Sequence, residues 1–184
     1  GSSMDEETKQ FFEEQKKVKA NQVCVDCGAA NPQWASVPLG CYVCLECSGK
    51  HRSLGTHLSF VRSIEMDKWK EIQKMGMKFG GNADLNALFE KYGLTEMSIE
   101  EKYNTKAVEY YRQHLRCLVD DREKKPQAPS IEEGAKRYVP PPPPPRDSAA
   151  SYSSHPYHDV KNTPTQNVIV VVVWAIILAG GWYM

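Results

Sequence analysis

Between residues 5 and about 20 the apolar side chains are few and one-sided. Phe11, Phe12 and Val18, with Gln15 beside them, share one side of a predicted helix whose other positions are mostly Glu and Lys. From Asn31 the pattern changes. Turn residues at Asn31-Pro32 and Pro38 punctuate β-prone apolar stretches in NPQWASVPLGCYVC, which predicts two short strands. After Cys47 a helix is expected to about Leu54, with Gly55 just past its end. HLSFVRSIEM then alternates apolar and polar positions as a half-buried third strand does. Helical spacing returns at Trp69, Ile72 and Met75, with Asp67 as the expected N-cap and Gly76 as the expected end. GGNADLNALFEKYG predicts a further helix between Gly81 and Gly93, its inner side formed by Leu85, Leu88 and Phe89. Ser98-Ile99-Glu100-Glu101 reads as a capping box, and Val108, Tyr111, Leu115 and Leu118 make a core-facing stripe from Thr105 to Asp120.

These elements predict an α+β fold over residues 5–125, a short three-stranded sheet flanked by helices. From Pro126 to Asn167 the chain turns to Pro, Ser, Tyr and charge without sustained periodicity, which predicts a disordered linker. Within it Pro140 to Pro145 should form polyproline II. Pro141, Pro144 and Arg146 fit P-x-x-P-x-R, which serves either as a ligand for an SH3-type groove or as a plain spacer. Val168–Met184 is uncharged and mostly apolar, about 25 Å long as a helix, and is expected to be an apolar C-terminal membrane anchor with Trp182 and Tyr183 at the far interface. The competing reading, a buried strand, has no sheet to join once the folded domain ends at 125. At the other end, Gly1-Ser2-Ser3 before Met4 is expected to be a cloning scar, and DEETKQFFEEQKKVKA contains no apolar run long enough for a secretory signal. A cytosolic, reducing environment follows.

Charge narrows the function classes. The chain has 23 basic and 23 acidic residues; residues 1–125 hold 19 of each. A nucleic-acid binder needs a basic face to displace counterions from phosphates, so no nucleic-acid partner is expected. One local excess stands out: between Glu46 and Arg62, Lys50, Arg52 and Arg62 face Glu46 alone, with His51 and His57 among them.

Directly before that patch lies the strongest chemical signal. Cys24-x2-Cys27-x16-Cys44-x2-Cys47 supplies four thiolates, which can close a tetrahedral shell around one structural Zn²⁺ and leave no position for substrate water. Disulfides do not suit a reducing compartment. Cys41-x2-Cys44 is a competing C-x-x-C pair that spacing alone leaves open. Leu45-Glu46, just ahead of a helix, supplies the turn between two ligands better than Tyr42-Val43, which favours Cys44 with Cys47 and makes Cys41 and Cys117 ordinary thiols. His51 and His57 are then surface or supporting groups rather than ligands.

From Cys24 to Glu90 the chain resembles the catalytic domain of the GTPase-activating proteins for ADP-ribosylation factor, the Arf GAPs. The resemblance rests on the cysteine spacing, Asn31-Pro32, Trp34, Gly40 and Ser48-Gly49-x-His51-Arg52-x-Leu54-Gly55; MKFGGNADLNALFE resembles the subgroup whose GAP domain opens the chain. It implies a zinc-centred sheet flanked by helices, with Arg52 at the position of the family's arginine finger. It further implies a GTP-bound Arf partner, regulation of vesicle coats, coat proteins as further partners, and a cytoplasmic location at Golgi or ER membranes. Trp34 and Asp67 read as scaffold, Trp34 filling a core beside the metal, and Arg62 as a strand arginine paired with a nearby carboxylate. Beyond residue 125 the chain departs from the subgroup, with no long amphipathic helix carrying a Ser/Thr-rich face. Two other readings compete: a GATA-like DNA-binding zinc finger, which the neutral charge disfavours, and a catalytically silent Arf-binding scaffold, which the presence of Arg52 disfavours.

Overall fold

Asp5 opens the first helix: its carboxylate accepts the Thr8 amide at 2.8 Å, satisfying one donor that the first turn leaves free. In this computed structural model residues 5–142 are described. Gly1-Ser2-Ser3, the expected linker from residue 143 on, with Pro144 and Arg146 of the SH3-type motif, and Val168–Met184 lie outside the described residues. Helix α1 (Glu6–Lys16) is shorter than its apolar pattern suggested, because a 3-10 turn at Lys19–Gln22 takes over. Phe12 is the buried anchor, edge-on to Trp69 and Tyr42, whereas Val18 is 49% exposed and does not join the inner face.

Strands β1 (Trp34–Ser36), β2 (Cys41–Val43) and β3 (Val61–Ser63) form one antiparallel sheet in the order β2-β1-β3. Trp34 lies opposite both Val43 and Ser63, so the sheet end at Trp34 is also where β2 runs into Cys44. Helix α2 (Leu45–Ser53) follows at once, capped by Cys44 and closed by Gly55 at φ 92°. It therefore starts between the cysteines of the second pair rather than after them. Asp67 is not a helix cap. Its carboxylate accepts the Ser63 amide at 2.7 Å and Trp69 Nε1 donates to the Ser63 carbonyl at 3.0 Å, so both pin the exit of β3. Helix α3 (Glu71–Phe79) begins only after its N-cap Lys70 and runs through Gly76.

Gly40 and Gly80 are needed because the chain packs backbone to backbone where they meet. Gly40 has φ 57°, and a Cβ there would stand 2.8 Å from the Gly76 carbonyl oxygen and 2.9 Å from Gly80 Cα, so two backbones touch where the sheet meets the helices. Next to this joint Asn82 opens α4 (Asn82–Tyr92) and is fully buried. Its oxygen accepts the Tyr42 amide at 2.7 Å and its Nδ2 donates to the Val23 carbonyl at 2.8 Å. Leu85, Leu88 and Phe89 are buried as their spacing predicts. Helices α5 (Ile99–Lys102) and α6 (Lys106–Val119) are capped by Ser98 and Thr105. Val108, Tyr111 and Leu115 enter the core, but Leu118 is 44% exposed because α6 outruns it.

The folded part continues past Lys125, where a linker was expected. After α6 the chain returns as a strap containing α7 (Ile131–Gly134). Lys106 N donates to the Lys136 carbonyl at 2.9 Å, Tyr138 N to the Asn104 carbonyl at 2.6 Å, and Tyr92 Oη to the Pro129 carbonyl at 2.9 Å. A four-residue helix is too short to reveal a period, which is why composition alone suggested a linker. Among the described residues no helix is long and apolar enough to cross a membrane.

Candidate functional site

Cys24, Cys27, Cys44 and Cys47 come together, their sulfurs all within 4.8 Å of one another. Tetrahedral thiolates at Zn–S of about 2.3 Å stand roughly 3.8 Å apart, and Cys27 Sγ and Cys44 Sγ are separated by 3.6 Å. Both pairs are held by turns: Gly28 N donates to the Cys24 carbonyl at 2.9 Å and Ser48 N to the Cys44 carbonyl at 2.8 Å. Burial pushes the Cys24 and Cys47 thiols up, and for Cys47 charge on Cys24 adds to the effect. Four thiolates this close together repel one another, and a divalent cation at their centre offsets that repulsion, so the donor set fits Zn²⁺. Cys41 is fully buried among apolar residues and lies outside this cluster, as does Cys117.

Helix α2 carries Arg52 away from that cluster. Its exposed cations differ in their engagements: Lys50 is paired with Glu46 at 3.2 Å, whereas Arg52 has no carboxylate partner among the described residues. The Arg52 guanidinium lies over the Trp34 ring, 5.0 Å from its centroid. Trp34 is half-buried and presents a face to the arginine, so it does more than fill a core. Arg62 sits 4.0 Å from Asp67 and 5.0 Å over the Phe60 ring, in line with the carboxylate pairing expected for a strand arginine. His57 is exposed and outside the thiol cluster.

His51, read in the sequence as a surface or supporting group, is fully buried. Its Nε2 meets Asp26 Oδ2 at 2.7 Å and its Nδ1 meets Ser59 Oγ at 2.8 Å. Asp26, between the first two cysteines, also accepts from Tyr103 Oη at 2.8 Å and pairs with Lys102 at 3.1 Å. Burial opposes its charge, but the hydrogen bond from His51 and the positive charge of His51 and Lys102 outweigh that and hold the carboxyl below its ordinary range. Sequence reasoning passed over Asp26; the available signal was an acid placed inside a cysteine pair.

Residues 9–121 match the ArfGap family, described as "Putative GTPase activating protein for Arf". The chain belongs to the ArfGap family. Curated relatives include ADP-ribosylation factor GTPase-activating protein 3 from Macaca fascicularis, 42% identical over 116 residues, which are 62% of this chain and 22% of that protein. The ADP-ribosylation factor GTPase-activating protein GCS1 of Saccharomyces cerevisiae is also 42% identical, over 65% of this chain and 34% of its own length. The chain thus spans between about a fifth and a third of these relatives. The crystal structure of a "putative GTPase activating protein for ADP ribosylation factor" from Cryptosporidium parvum superposes with a TM-score of 0.58 at 31% identity, covering 64% of this chain and all of that one. The α+β fold, the three-stranded sheet and the four-cysteine cluster are those of the ArfGap domain. The ArfGap match ends before the strap.

Proposed function

We propose that this protein accelerates GTP hydrolysis by an Arf-family GTPase, with Arg52 entering the partner's nucleotide site in trans. The observation that supports this most directly is an exposed arginine on a helix anchored at the four-cysteine cluster, stacked on Trp34 and without a carboxylate partner among the described residues. Phosphoryl transfer spreads charge over the γ-phosphoryl oxygens, and an arginine supplied in trans is worth about 10³–10⁵ in rate. A guanidinium is a planar fork that can bridge two phosphate oxygens. Presenting it on a helix that is already ordered limits the entropy lost on docking.

Cys24, Cys27, Cys44 and Cys47 would hold one Zn²⁺. With all four positions taken by sulfur, the metal supplies structure, fixing the turn from which α2 starts. This chain's own contribution is to carry and orient Arg52; the nucleotide and its Mg²⁺ belong to the GTPase. A base-reading helix, as in the GATA-like alternative, needs several free cations, and α2 offers only Arg52 beside the paired Lys50. The same reading places the protein in the cytosol at Golgi or ER membranes, controlling vesicle coats. Val168–Met184 would act as the anchor, and coat proteins and an SH3-type domain on the Pro-rich segment would be further partners.

Single-turnover hydrolysis by GTP-loaded Arf on liposomes tests the central claim. Addition of this protein should raise the rate by orders of magnitude, and no stimulation by a folded, zinc-loaded sample would refute it. Carbonate-resistant membrane association that survives deletion of residues 168–184 would refute the anchor.

A further inference from the structure

Helix α2 has unusual anchors. Its buried residues are Cys47, Ser48 and His51, none of them aliphatic, and the aliphatic side chain nearest its end, the C-cap Leu54, is only partly buried against the core. Cys47 and His51 are four residues apart and therefore share a face, one near each end of the helix. The thiol cluster holds the first turn. The last turn, which carries Arg52, is held by His51.

The partners of His51 come from separate parts of the chain. Asp26 reaches it at 2.7 Å from the turn between Cys24 and Cys27, and Ser59 at 2.8 Å from the segment after α2. Ser59 Oγ in turn meets Ser36 Oγ on β1 at 2.7 Å. The Tyr103 ring packs on the imidazole with centroids 4.5 Å apart, while its hydroxyl donates to Asp26. The side chains of His51 and Asp26 are 0% and 3% exposed, so water offers no substitute partners. Successive helix residues are turned by about 100°. With His51 locked inward, Arg52 is turned to the flank where Trp34 of β1 lies. A modest rotation of α2 would lift the guanidinium off that ring.

We propose that His51, braced by Asp26 and Ser59, is the positioning residue that sets the rotation of α2 and thereby seats Arg52 on Trp34. The inference rests on the reading of Arg52 as the arginine supplied to the GTPase, but its primary readout does not. That readout is the Arg52 Nε–H resonance in the zinc-loaded protein, shifted in the wild type by the Trp34 ring current. His51→Phe keeps an aromatic volume against Tyr103 and leaves Asp26 paired with Lys102 and Tyr103, while removing both imidazole hydrogen bonds. It should move the Arg52 resonance toward its free value. The maximal stimulated rate should fall at least ~10-fold while the half-saturating concentration stays within about twofold, because docking is intact and orientation is lost. Ser59→Ala should do the same to a smaller degree, and His51→Gln should recover part of the loss by keeping a donor toward Asp26. In an Arg52→Ala background none of these changes should lower the rate further, whereas a general loss of folding would add. An unmoved Arg52 resonance in folded His51→Phe would overturn the proposal; should that variant unfold, an unmoved resonance in Ser59→Ala would do so. If the wild type stimulates no hydrolysis at all, the reading of Arg52 fails, and the resonance still decides the positioning.

Discussion

Helices α2 and α6 are held by different physics. Helix α6 buries Ala107, Val108, Tyr111 and Leu115 along a regular stripe, and its one buried charge, Arg112, bonds to Glu109 and to the carbonyls of Leu58 and Tyr103. Helix α2 buries a thiol, a hydroxyl and an imidazole. Apolar packing tolerates small shifts in angle; a sulfur cluster and two short hydrogen bonds do not. The element that carries the candidate chemistry is thus the one whose rotation is set by directional contacts, while volume filling is left to the helices behind it.

Removing the metal should produce the largest divergence between the two. Structural zinc contributes about 10–16 kcal/mol of apparent binding free energy in small domains. Chelation, or Ser in place of Cys24, Cys27, Cys44 or Cys47, should abolish amide-exchange protection across β1, β2 and α2 before it affects α4 and α6. Cys41→Ser should retain full zinc content by metal analysis. Leu115→Ala is the converse experiment. Truncating that buried side chain, which also lies 3.4 Å from the place a Gly40 Cβ would occupy, should cost about 2–5 kcal/mol in a denaturant titration. At low temperature it should leave stimulated hydrolysis close to wild type.

Arg52→Lys separates chemistry from stability altogether. The guanidinium is exposed, so the melting temperature and zinc content should be unchanged. The stimulated rate should fall at least ~10²-fold, roughly 2.7 kcal/mol in the barrier, because an ammonium is a point charge. A folded Lys variant with near wild-type stimulation would make Arg52 an ordinary surface residue.

The contrast also explains what could be read from the sequence. Spacing located α4 to within its bounding glycines and three buried positions of α6, and pair spacing together with the turn expected at Leu45-Glu46 located the four-cysteine cluster with Cys41 outside it, because period and turn chemistry are properties of short windows. The sequence placed an N-cap at Asp67, but the acid instead ties a strand exit, a choice made by a backbone amide four residues upstream. Trp34 was expected to be wholly scaffold, and only the antiparallel register that brings β1 beside α2 shows it facing Arg52. Asp26, His51 and Ser59 are scattered through the chain and meet only when the sheet is folded. Asn82 gave no signal for the same reason, since the groups it satisfies lie some 40 to 60 residues upstream.

Two smaller effects concern the strap. Gly134 packs against the Tyr92 ring so closely that an added Cβ would overlap it. Gly134→Ala should release the strap, exposing the Tyr138 amide to exchange and the bonds after Lys136 and Arg137 to trypsin while α6 stays protected. The mildest perturbation is pH. Hydrogen bonds from Lys106 and Lys136 hold the Glu133 carboxyl down to about 2, below its ordinary value, so its contribution is complete above the ordinary Glu range. Strap protection should be flat from neutral pH to about 5 and decline as pH falls toward 2. A decline on raising the pH would show that another group controls it.

The strap changes where mechanical load enters the domain. Any tail beyond it departs from Tyr138, beside Asn104 and Thr105, rather than from the end of α6 some twenty residues earlier. A pull on that tail is borne first by the Tyr138–Asn104 amide bond, then by the Thr105–Arg137 bridge and the Lys106–Lys136 bond, which open one after another as in peeling tape. Those bonds end on Asn104, Thr105 and Lys106, so the load enters α6 at its N-terminal turn. Such a load meets the domain at the start of α6, some fifty residues along the chain from Arg52 on α2.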